Sequence, residues 1–293
     1  MHLRRYLLPL LLLALFALGY RAVLRYMQEP IRAEGNGQLE AIFPDWSKPI
    51  RVLGTGFREP SGLSTTPNGT LLLIGDEYGD CYELESSSGK RLQVTAFAGA
   101  GDYEDLCLVG DTLLVLESDG KIFRNLNGRK LERADWKKLP GQADAEGLWV
   151  DEDGAWLACK GQWPGDDRFT RRILFKDRLT DSDWTFFAYW HPDSASDITL
   201  PSALPRLDPR KPGLFQPSAI SRLPNGNFVL LSAEPPGISL LSERGRWLAF
   251  QPVDRGTWPQ PEGIGFSSSE IFVVSEQSDR IYVYNLPAEL ATP

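Results

Sequence analysis

Short runs of apolar residues alternate along the chain with turns rich in Gly, Asn and Asp. The runs include LLLIG, LLVLE, AWLAC, FVLLS and IFVVS, and turns such as TPNGT and LPNGN precede them. Short runs of this composition that are bounded by turn residues predict β-strands. No long segment after the N-terminal region has the apolar period of an amphipathic helix, so the pattern predicts an all-β fold.

A four-residue echo stands before each of these strands. It occurs as PSGL (Pro60–Leu63), YEDL (Tyr103–Leu106), AEGL (Ala145–Leu148), PSAI (Pro217–Ile220) and PEGI (Pro261–Ile264). Its second letter recurs at intervals of 43, 42, 72 and 44 residues. Internal repeats of about 40 residues are typical of propellers and solenoids.

Each repeat continues with further strands. Third strands are CYELE, KIFRNL, RRILF, ISLLS and RIYVYNL, and fourth strands are RLQVTAF, KLERADW, WTFFAYW and RWLAF. Four antiparallel strands per repeat predict the blade of a β-propeller. The last repeat has only three strands, and PIRVLGTGF (Pro49–Phe57) is the expected fourth. A blade shared by both ends of the chain closes the ring and removes the unpaired edges of an open array.

The interval of 72 residues leaves two blade counts open. Five blades are favoured, because residues 191–216 are rich in Pro and Asp and have no apolar run, which is typical of a long loop over one face. Six blades are the alternative, with the extra blade inside the long interval.

The N-terminal segment has the layout of a targeting sequence. Arg4 and Arg5 precede an apolar run, Leu7–Leu18, which Ala22–Leu24 extend beyond Arg21. An uncleaved anchor over residues 7–24, in the inner membrane, is favoured over a cleaved signal peptide. Either reading predicts an exported, periplasmic or otherwise extracytoplasmic protein. The predicted organisation is a signal segment (1–27), a linker (28–46), a single propeller domain (47–287) and a C-terminal tail (288–293).

The composition of the chain limits the partners and the cysteine chemistry that we expect. The formal net charge is −8, and four of the 31 basic residues lie within residues 1–27, so the body of the chain is more acidic than the total. Nucleic-acid binding usually needs a basic surface, so we expect no nucleic-acid partner. Cys81, Cys107 and Cys159 each lie in an apolar run, which favours buried free thiols over a disulfide.

Alignment of the repeats gives three columns of polar residues. The second letter of the echo gives Ser61, Glu104, Glu146, Ser218 and Glu262; two places earlier lie Glu59, Asp102, Asp144, Gln216 and Gln260; the end of the second strand gives Asp76, Glu117, Lys160, Ala233 and Glu276. Strand side chains alternate with period two, so the first two columns are expected to face one mouth of the central channel if the echo opens the innermost strand. Antiparallel pairing is expected to bring the third column back to the same mouth.

Carboxylates that lie close together repel one another, so their negative charge must be offset or neutralised. Oxygen ligands without His or thiolate suit Ca²⁺ or Mg²⁺, and Glu104, Glu146 and Glu262 are the candidate ligands. Lys160 offers an internal counter-ion, and a shared proton is a third route. The structural alternative, which we favour, is that the repeated glutamates accept hydrogen bonds from neighbouring backbone N–H groups and hold the blades together. A catalytic carboxylate is the least favoured interpretation.

In the order of its blocks the chain resembles the SdiA-regulated, or YjiK-like, family of exported bacterial β-propellers. The resemblance covers about residues 47–287 and rests on EPSGLS, GDYEDLCLVGDTLLVLESDGKIF, DAEGLWVDEDGAWLACKG, FQPSAISRLPNGNFVLLS and QPEGIGFSSSEIFVVSEQSDRIYVYNL. It implies an exported propeller without a defined activity, and some relatives are linked to calcium. Related propellers include phytase-like proteins and calcium-dependent lactonases.

Three functions follow as hypotheses. The first is a membrane-tethered, non-catalytic module that binds a small ligand or an envelope protein at an acidic channel mouth, with Ca²⁺ as a candidate cofactor. The second is a metal-dependent hydrolase of a lactone or phosphate ester, with no catalytic residue assigned. The third is an envelope scaffold that docks through the loop 191–216. His191 with Asp193 and Asp197, and Trp163 in GQWPGDDRF, are better explained as exposed loops than as chemical sites.

Overall fold

The strands form five antiparallel sheets of four. In a computed structural model, residues 43–126, 132–134, 139, 144–161, 171–177, 184–190 and 215–291 are described. Strand β1 (Arg51–Gly54) belongs to the last blade. Blade 1 contains β2 (Pro60–Thr65), β3 (Thr70–Gly75), β4 (Tyr78–Glu85) and β5 (Arg91–Ala100). Blade 2 contains β6 (Tyr103–Val109), β7 (Thr112–Glu117), β8 (Ile122–Leu126) and β9 (Glu132–Ala134).

The remaining blades repeat this order. Blade 3 contains β10 (Ala145–Val150), β11 (Gly154–Cys159), β12 (Arg171–Asp177) and β13 (Thr185–Trp190). Blade 4 contains β14 (Pro217–Arg222), β15 (Phe228–Ala233), β16 (Pro236–Leu241) and β17 (Trp247–Pro252). Blade 5 contains β18 (Pro261–Phe266), β19 (Glu270–Ser275), β20 (Arg280–Asn285) and β1. Each echo opens the first strand of its blade, which confirms the predicted strand order and the all-β propeller fold.

Both ends of the chain share blade 5. Strand β1 pairs antiparallel with β20, with Val52 opposite Tyr282 and Leu53 opposite Ile281. The sheet order β1-β20-β19-β18 is the predicted closure. The N-terminal strand therefore covers the hydrogen-bonding edge that β20 would otherwise expose.

The innermost strands form a ring of five. Strands β2, β6, β10, β14 and β18 contact one another in that order, and β18 contacts β2 again. Strand β14 contacts both β10 and β18, so the first strands of blades 3 and 4 are neighbours in the ring. The described residues thus form five blades, the count that the sequence favoured.

The hydrophobic core lies between adjacent blades. One cluster, for example, joins Leu71 and Leu73 of blade 1 to Phe272, Val274 and Ile281 of blade 5. A blade that packs against a neighbour on each of its two faces buries the side chains that point to either face. This explains the near-continuous apolar runs of the second strands.

The packed core extends beyond the domain limits predicted at residues 47 and 287. Phe43 and Trp46, from the predicted linker, are buried against Trp258 and Tyr284. Trp258 Nε1 donates to Tyr284 Oη at 2.8 Å, and Tyr284 Oη donates to the Trp46 carbonyl at 2.8 Å. Beyond residue 287, the single helical turn α1 (Ala288–Ala291) buries Leu290 in the same cluster. Apolar side chains at both ends explain why the core is wider than the repeats.

The N-terminal prediction lies outside the described residues, since these begin at residue 43. Within the part of the chain that the structure describes, no helix has the length and hydropathy needed to cross a membrane.

All three cysteines are buried and none forms a disulfide, as predicted. Burial raises the pKa of the Cys81 and Cys107 thiols to about 12. The thiolate is the reactive form, so these two thiols are held in their unreactive state at neutral pH.

Candidate functional site: an acidic cavity at one channel mouth

Every innermost strand carries an irregularity at the second letter of the echo. The register shifts between Tyr103 and Asp105, between Ala145 and Gly147, and at the equivalent place in blades 1, 4 and 5. A bulge of this kind leaves one residue unpaired and re-aims its side chain. The column Ser61, Glu104, Glu146, Ser218 and Glu262 therefore consists of bulged residues, which strand periodicity alone did not reveal.

The third letter of the echo lies where neighbouring blades come closest. A Cβ atom on Gly147 would lie 2.7 Å from the backbone N of Ile220, in the next blade. A Cβ atom on Gly263 would lie 2.7 Å from the backbone N of Leu63. Glycine lets two backbones approach in this way, so the innermost strands can draw together around a narrow channel.

The two serines of the bulged column join blades. Ser61 Oγ donates to the carbonyl of Glu104 at 2.5 Å, from blade 1 to blade 2. Ser218 Oγ donates to the carbonyl of Pro261 at 2.6 Å, from blade 4 to blade 5. The serines at this position are therefore structural.

The three glutamates of the column extend into a cavity of about 190 Å³. Its lining consists of Ser61, Asp76, Glu104, Glu146, Lys160, Gln260, Glu262 and Glu276. Six of the ten predicted site residues therefore meet at one mouth of the channel. Asp76, Lys160 and Glu276 each follow directly on a second strand, as the antiparallel argument required.

Glu117 does not line this cavity. The backbone N–H groups of Asp76, Lys160 and Glu276 each donate to the residue before the echo of their own blade, but in blade 2 Ser118 makes this bond, to the carbonyl of Asp102. The prediction for Glu117 was wrong because the alignment of blade 2 was one residue short, and one residue reverses the face of a strand. Glu117 instead pairs with Lys121, 2.9 Å away.

Glu59, Asp102 and Asp144 are not among the residues that line the cavity, although Gln260 of the same column is. They precede their strands, and Glu59 and Asp144 have φ angles of 53° and 46°. Asp102 accepts a hydrogen bond from Ser118 Oγ. These carboxylates flank the cavity rather than line it.

Lys160 pairs with Glu146 inside the cavity. Its Nζ lies 2.7 Å from Glu146 Oε2, and only 4% of the Glu146 side chain is exposed. Lys160 is the one cation among the described residues of the lining. Although burial lowers it, the pKa of Lys160 is raised overall by Glu146, Glu262 and Glu104.

Two carboxylates on the other side lack such a partner. Glu262 is only 8% exposed, and no group in the described part of the chain donates a hydrogen bond to it. Asp76 Oδ1 is buried without a hydrogen-bond partner there. Glu276 accepts a hydrogen bond from Gln260 Nε2. Buried polar atoms are almost always hydrogen-bonded, so the unpartnered Asp76 Oδ1 is exceptional.

The cavity raises the pKa of its carboxyl groups. Burial raises the pKa of Glu262 to about 8 against the opposing effect of Lys160. Burial and then the neighbouring Glu146 raise the pKa of Glu104, and burial raises the pKa of Glu146 despite Lys160. The pKa values of Asp76 and Glu276 are raised by burial and by nearby carboxylates. Burial and mutual repulsion therefore favour the protonated forms of these carboxyl groups.

The predicted trio of metal ligands does not form. Among the described residues, no group of three or more His, Cys, Asp and Glu side chains is placed to hold a metal ion. Glu104, Glu146 and Glu262 line one cavity, but they come from three different blades, and a Glu146 oxygen already contacts Lys160.

Sequence reasoning missed Asp105. Its side chain is buried; Oδ1 accepts from Leu106 N at 2.8 Å, and Oδ2 accepts from Leu148 N of the next blade at 2.7 Å. Burial raises its pKa, and the two N–H donors oppose that shift. Asp105 thus performs the bridging role that we expected of the bulged glutamates. The available signal was an aspartate where the other echoes have Gly or Ala.

The weaker candidates His191, Asp193, Asp197 and Trp163 lie outside the described residues, as does most of the loop 191–216.

Comparisons with known proteins identify the fold and no family. No family model matches the chain, and no curated protein matches it. Among solved structures, the glutaminyl cyclase of Myxococcus xanthus is similar with a TM-score of 0.54 at 12% identity, over 81% of this chain and 95% of that one. The PQQ-bound aldose sugar dehydrogenase of Streptomyces coelicolor is similar with a TM-score of 0.51 at 13% identity, over 81% of this chain and 98% of that one. Likeness at these identities concerns the fold alone. The resemblance to the SdiA-regulated family stays a prediction.

Proposed function

We propose that the protein is a non-catalytic binding module whose acidic cavity binds a positively charged ligand at one mouth of the propeller channel. The observation that carries this proposal is the composition of the cavity. Five carboxylates face one lysine, and Glu262 has no hydrogen-bond partner in the described part of the chain.

The physical argument concerns the carboxylates of the cavity that have no positive charge at ion-pair distance. An ionised carboxylate that is removed from water is costly unless a positive charge or hydrogen-bond donors replace the lost hydration. Lys160 does this for Glu146 alone at ion-pair distance. A ligand with positive charge would let the other carboxylates ionise, and its binding free energy would include that gain. Fixed negative groups in a partly enclosed cavity also attract cations from solution.

The N-terminal pattern supports an exported location for this module. Arg4, Arg5 and the apolar run that follows them are the basis for an anchor over residues 7–24, with the propeller outside the cytoplasm. The resemblance to an exported family points the same way. A ligand or partner from the cell envelope is therefore the one to seek.

The other hypotheses stay predictions. A metal-dependent hydrolase and a scaffold that docks through the loop 191–216 are both compatible with a propeller. No feature of the cavity favours either over binding. Ca²⁺ and Mg²⁺ remain among the cations to be tried as ligands.

Isothermal titration calorimetry on the full-length protein in mild detergent tests the proposal. The titrants are Ca²⁺, Mg²⁺ and ethylammonium, each as the chloride, with NaCl as the ionic-strength control. We expect at least one of them to bind, and Glu262→Gln to weaken that binding at least tenfold. Glu117→Gln is the matched control, because Glu117 lies outside the cavity, and it should bind as the unmodified protein does. Absence of binding by all three titrants would overturn the proposal.

A further inference from the structure

We infer that the ligand of this cavity is a small organic amine, whose primary ammonium group is held between Asp76, Glu262 and Glu276. The inference rests on the proposed function and names the class of ligand.

The cavity has two unequal halves. In the first half, Lys160 Nζ contacts Glu146 at 2.7 Å, and Glu104 lies close enough for Lys160 to lower its pKa. The second half contains Asp76 of blade 1 with Glu262 and Glu276 of blade 5. Lys160 also lowers the pKa of Glu262 and of Glu276, but its ion-pair contact is with Glu146, so one positive charge among the described lining residues serves five carboxylates.

The unmet acceptors indicate a ligand that brings hydrogen-bond donors. Glu262 is more than nine-tenths buried and lines the cavity without a donor in the described chain. Asp76 Oδ1 is buried without a hydrogen-bond partner in the described chain. The carboxylates of this half also lie near one another, since Asp76 and Glu276 each raise the pKa of Glu262. A primary ammonium carries three N–H donors and one positive charge, which matches two open acceptors and a third carboxylate.

The geometry favours an ammonium over a metal ion. Calcium takes six to eight oxygen ligands at about 2.3–2.6 Å, and the described residues hold no such group of carboxylates. An ammonium accepts longer contacts, of about 2.8 Å, from oxygens that need not surround it. The Lys160–Glu146 pair shows that this chemistry already fits inside the same cavity.

The lining also discriminates among organic cations. A quaternary ammonium has no N–H donor, and the sites that recognise it are built from aromatic rings. None of the described lining residues is aromatic. The volume of about 190 Å³ suits a small amine rather than a bulky one.

Binding is expected to release a proton. Burial raises the pKa of Glu262 to about 8, and the charged groups that face it are Lys160, Glu146, Glu276 and Asp76. Below that pH the Glu262 carboxyl is mostly neutral. The entering ammonium then pairs with the carboxylate, the O–H bond of the acid breaks, and its proton passes to the buffer. Affinity should therefore rise with pH up to about the pKa of Glu262.

Calorimetry at pH 7.0 and pH 8.0 on the full-length protein tests the inference, with ethylammonium, tetramethylammonium and Ca²⁺ as the probes. We expect ethylammonium to bind at least tenfold more tightly than tetramethylammonium, and more tightly at pH 8.0. Glu262→Gln and Asp76→Asn should each weaken the binding of ethylammonium at least tenfold, while Glu117→Gln should change it less than twofold. Thermal unfolding of each variant confirms that it folds, and titration in two buffers of different ionisation enthalpy counts the released protons.

The outcomes separate the inference from the proposed function. If Ca²⁺ binds and ethylammonium does not, the ammonium site is wrong and the acidic binding module stands. Equal affinity for tetramethylammonium would also overturn the inference, because the N–H donors would then be unused. If none of the cations binds, both proposals fail.

Discussion

The bulged column holds serine in two blades and glutamate in three, at the same backbone position. Ser61 and Ser218 are short, and their hydroxyl groups donate to a carbonyl of the adjacent blade, although Ser61 also lines the cavity. Glu104, Glu146 and Glu262 are longer, and they pass that carbonyl and enter the cavity. The bulge thus fixes where a side chain starts, while its length and charge decide whether it joins blades or faces a ligand.

The comparison separates stability from binding within one repeat. The serines use their hydrogen-bonding capacity inside the protein, so they are expected to stabilise the ring. Glu262 keeps an unused capacity, which is a cost to the unliganded protein. An unpaired buried carboxylate at a repeated position is typical of a site that function has kept at the expense of stability.

Asp105→Ala is expected to have the largest effect on the ring. It leaves the N–H groups of Leu106 and Leu148 without an acceptor, so the free energy of unfolding should fall by about 2–4 kcal/mol. Alanine fits the backbone here, since Ala219 has the same place in blade 4. Urea unfolding measures the loss. The control is Glu104→Ala, one residue away, which removes no acceptor of a described backbone N–H; an equal loss there would contradict the assignment.

Glu262→Gln is expected to stabilise the unliganded protein at high pH. Because the folded pKa of about 8 is raised above its ordinary value of 4.5, folding binds a proton in this window. The contribution of Glu262 to stability is therefore fully present below pH 4.5 and is lost as pH rises through about 8. Glutamine stays neutral, so the variant should gain about 1–3 kcal/mol at pH 9, the usual cost of an unpartnered buried polar group.

Urea unfolding at pH 4 and pH 9 gives the comparison for Glu262→Gln. The gain should be present at pH 9 and nearly absent at pH 4. A variant that is less stable than the unmodified protein at pH 9 would show that Glu262 is paired after all.

Ser218→Ala is the mildest change and tests the structural half of the comparison. It removes the bond to the Pro261 carbonyl, and the free energy of unfolding should fall by about 1 kcal/mol. Ser239→Ala is the matched control in the same blade, because Ser239 Oγ is buried without a partner in the described chain. Its loss should be near zero or even a gain. Equal losses in urea unfolding would mean that the inter-blade bond of Ser218 contributes nothing specific.

The sequence by itself determined the repeat and the closure. Strand formation depends on local alternation and turn residues, which are written into each echo and the run that follows it. The pairing of β1 with β20 followed from counting strands, since a missing strand at one end matched a spare one at the other. The alignment of the repeats also predicted that Glu104, Glu146 and Glu262 lie at one mouth of the channel, because a repeated position in a ring faces a common centre.

The tertiary structure decided what each of those residues does. Three features depend on how neighbouring blades contact one another: the bulge that re-aims Glu262, the place of Ser118 rather than Glu117 directly after the second strand of blade 2, and the bond from Asp105 to the next blade. These contacts join residues that are far apart in the chain, and a shift of one residue reverses a side chain. Local sequence pattern reports neither effect, so only the closed ring separates the side chains that bridge blades from those that extend into the cavity.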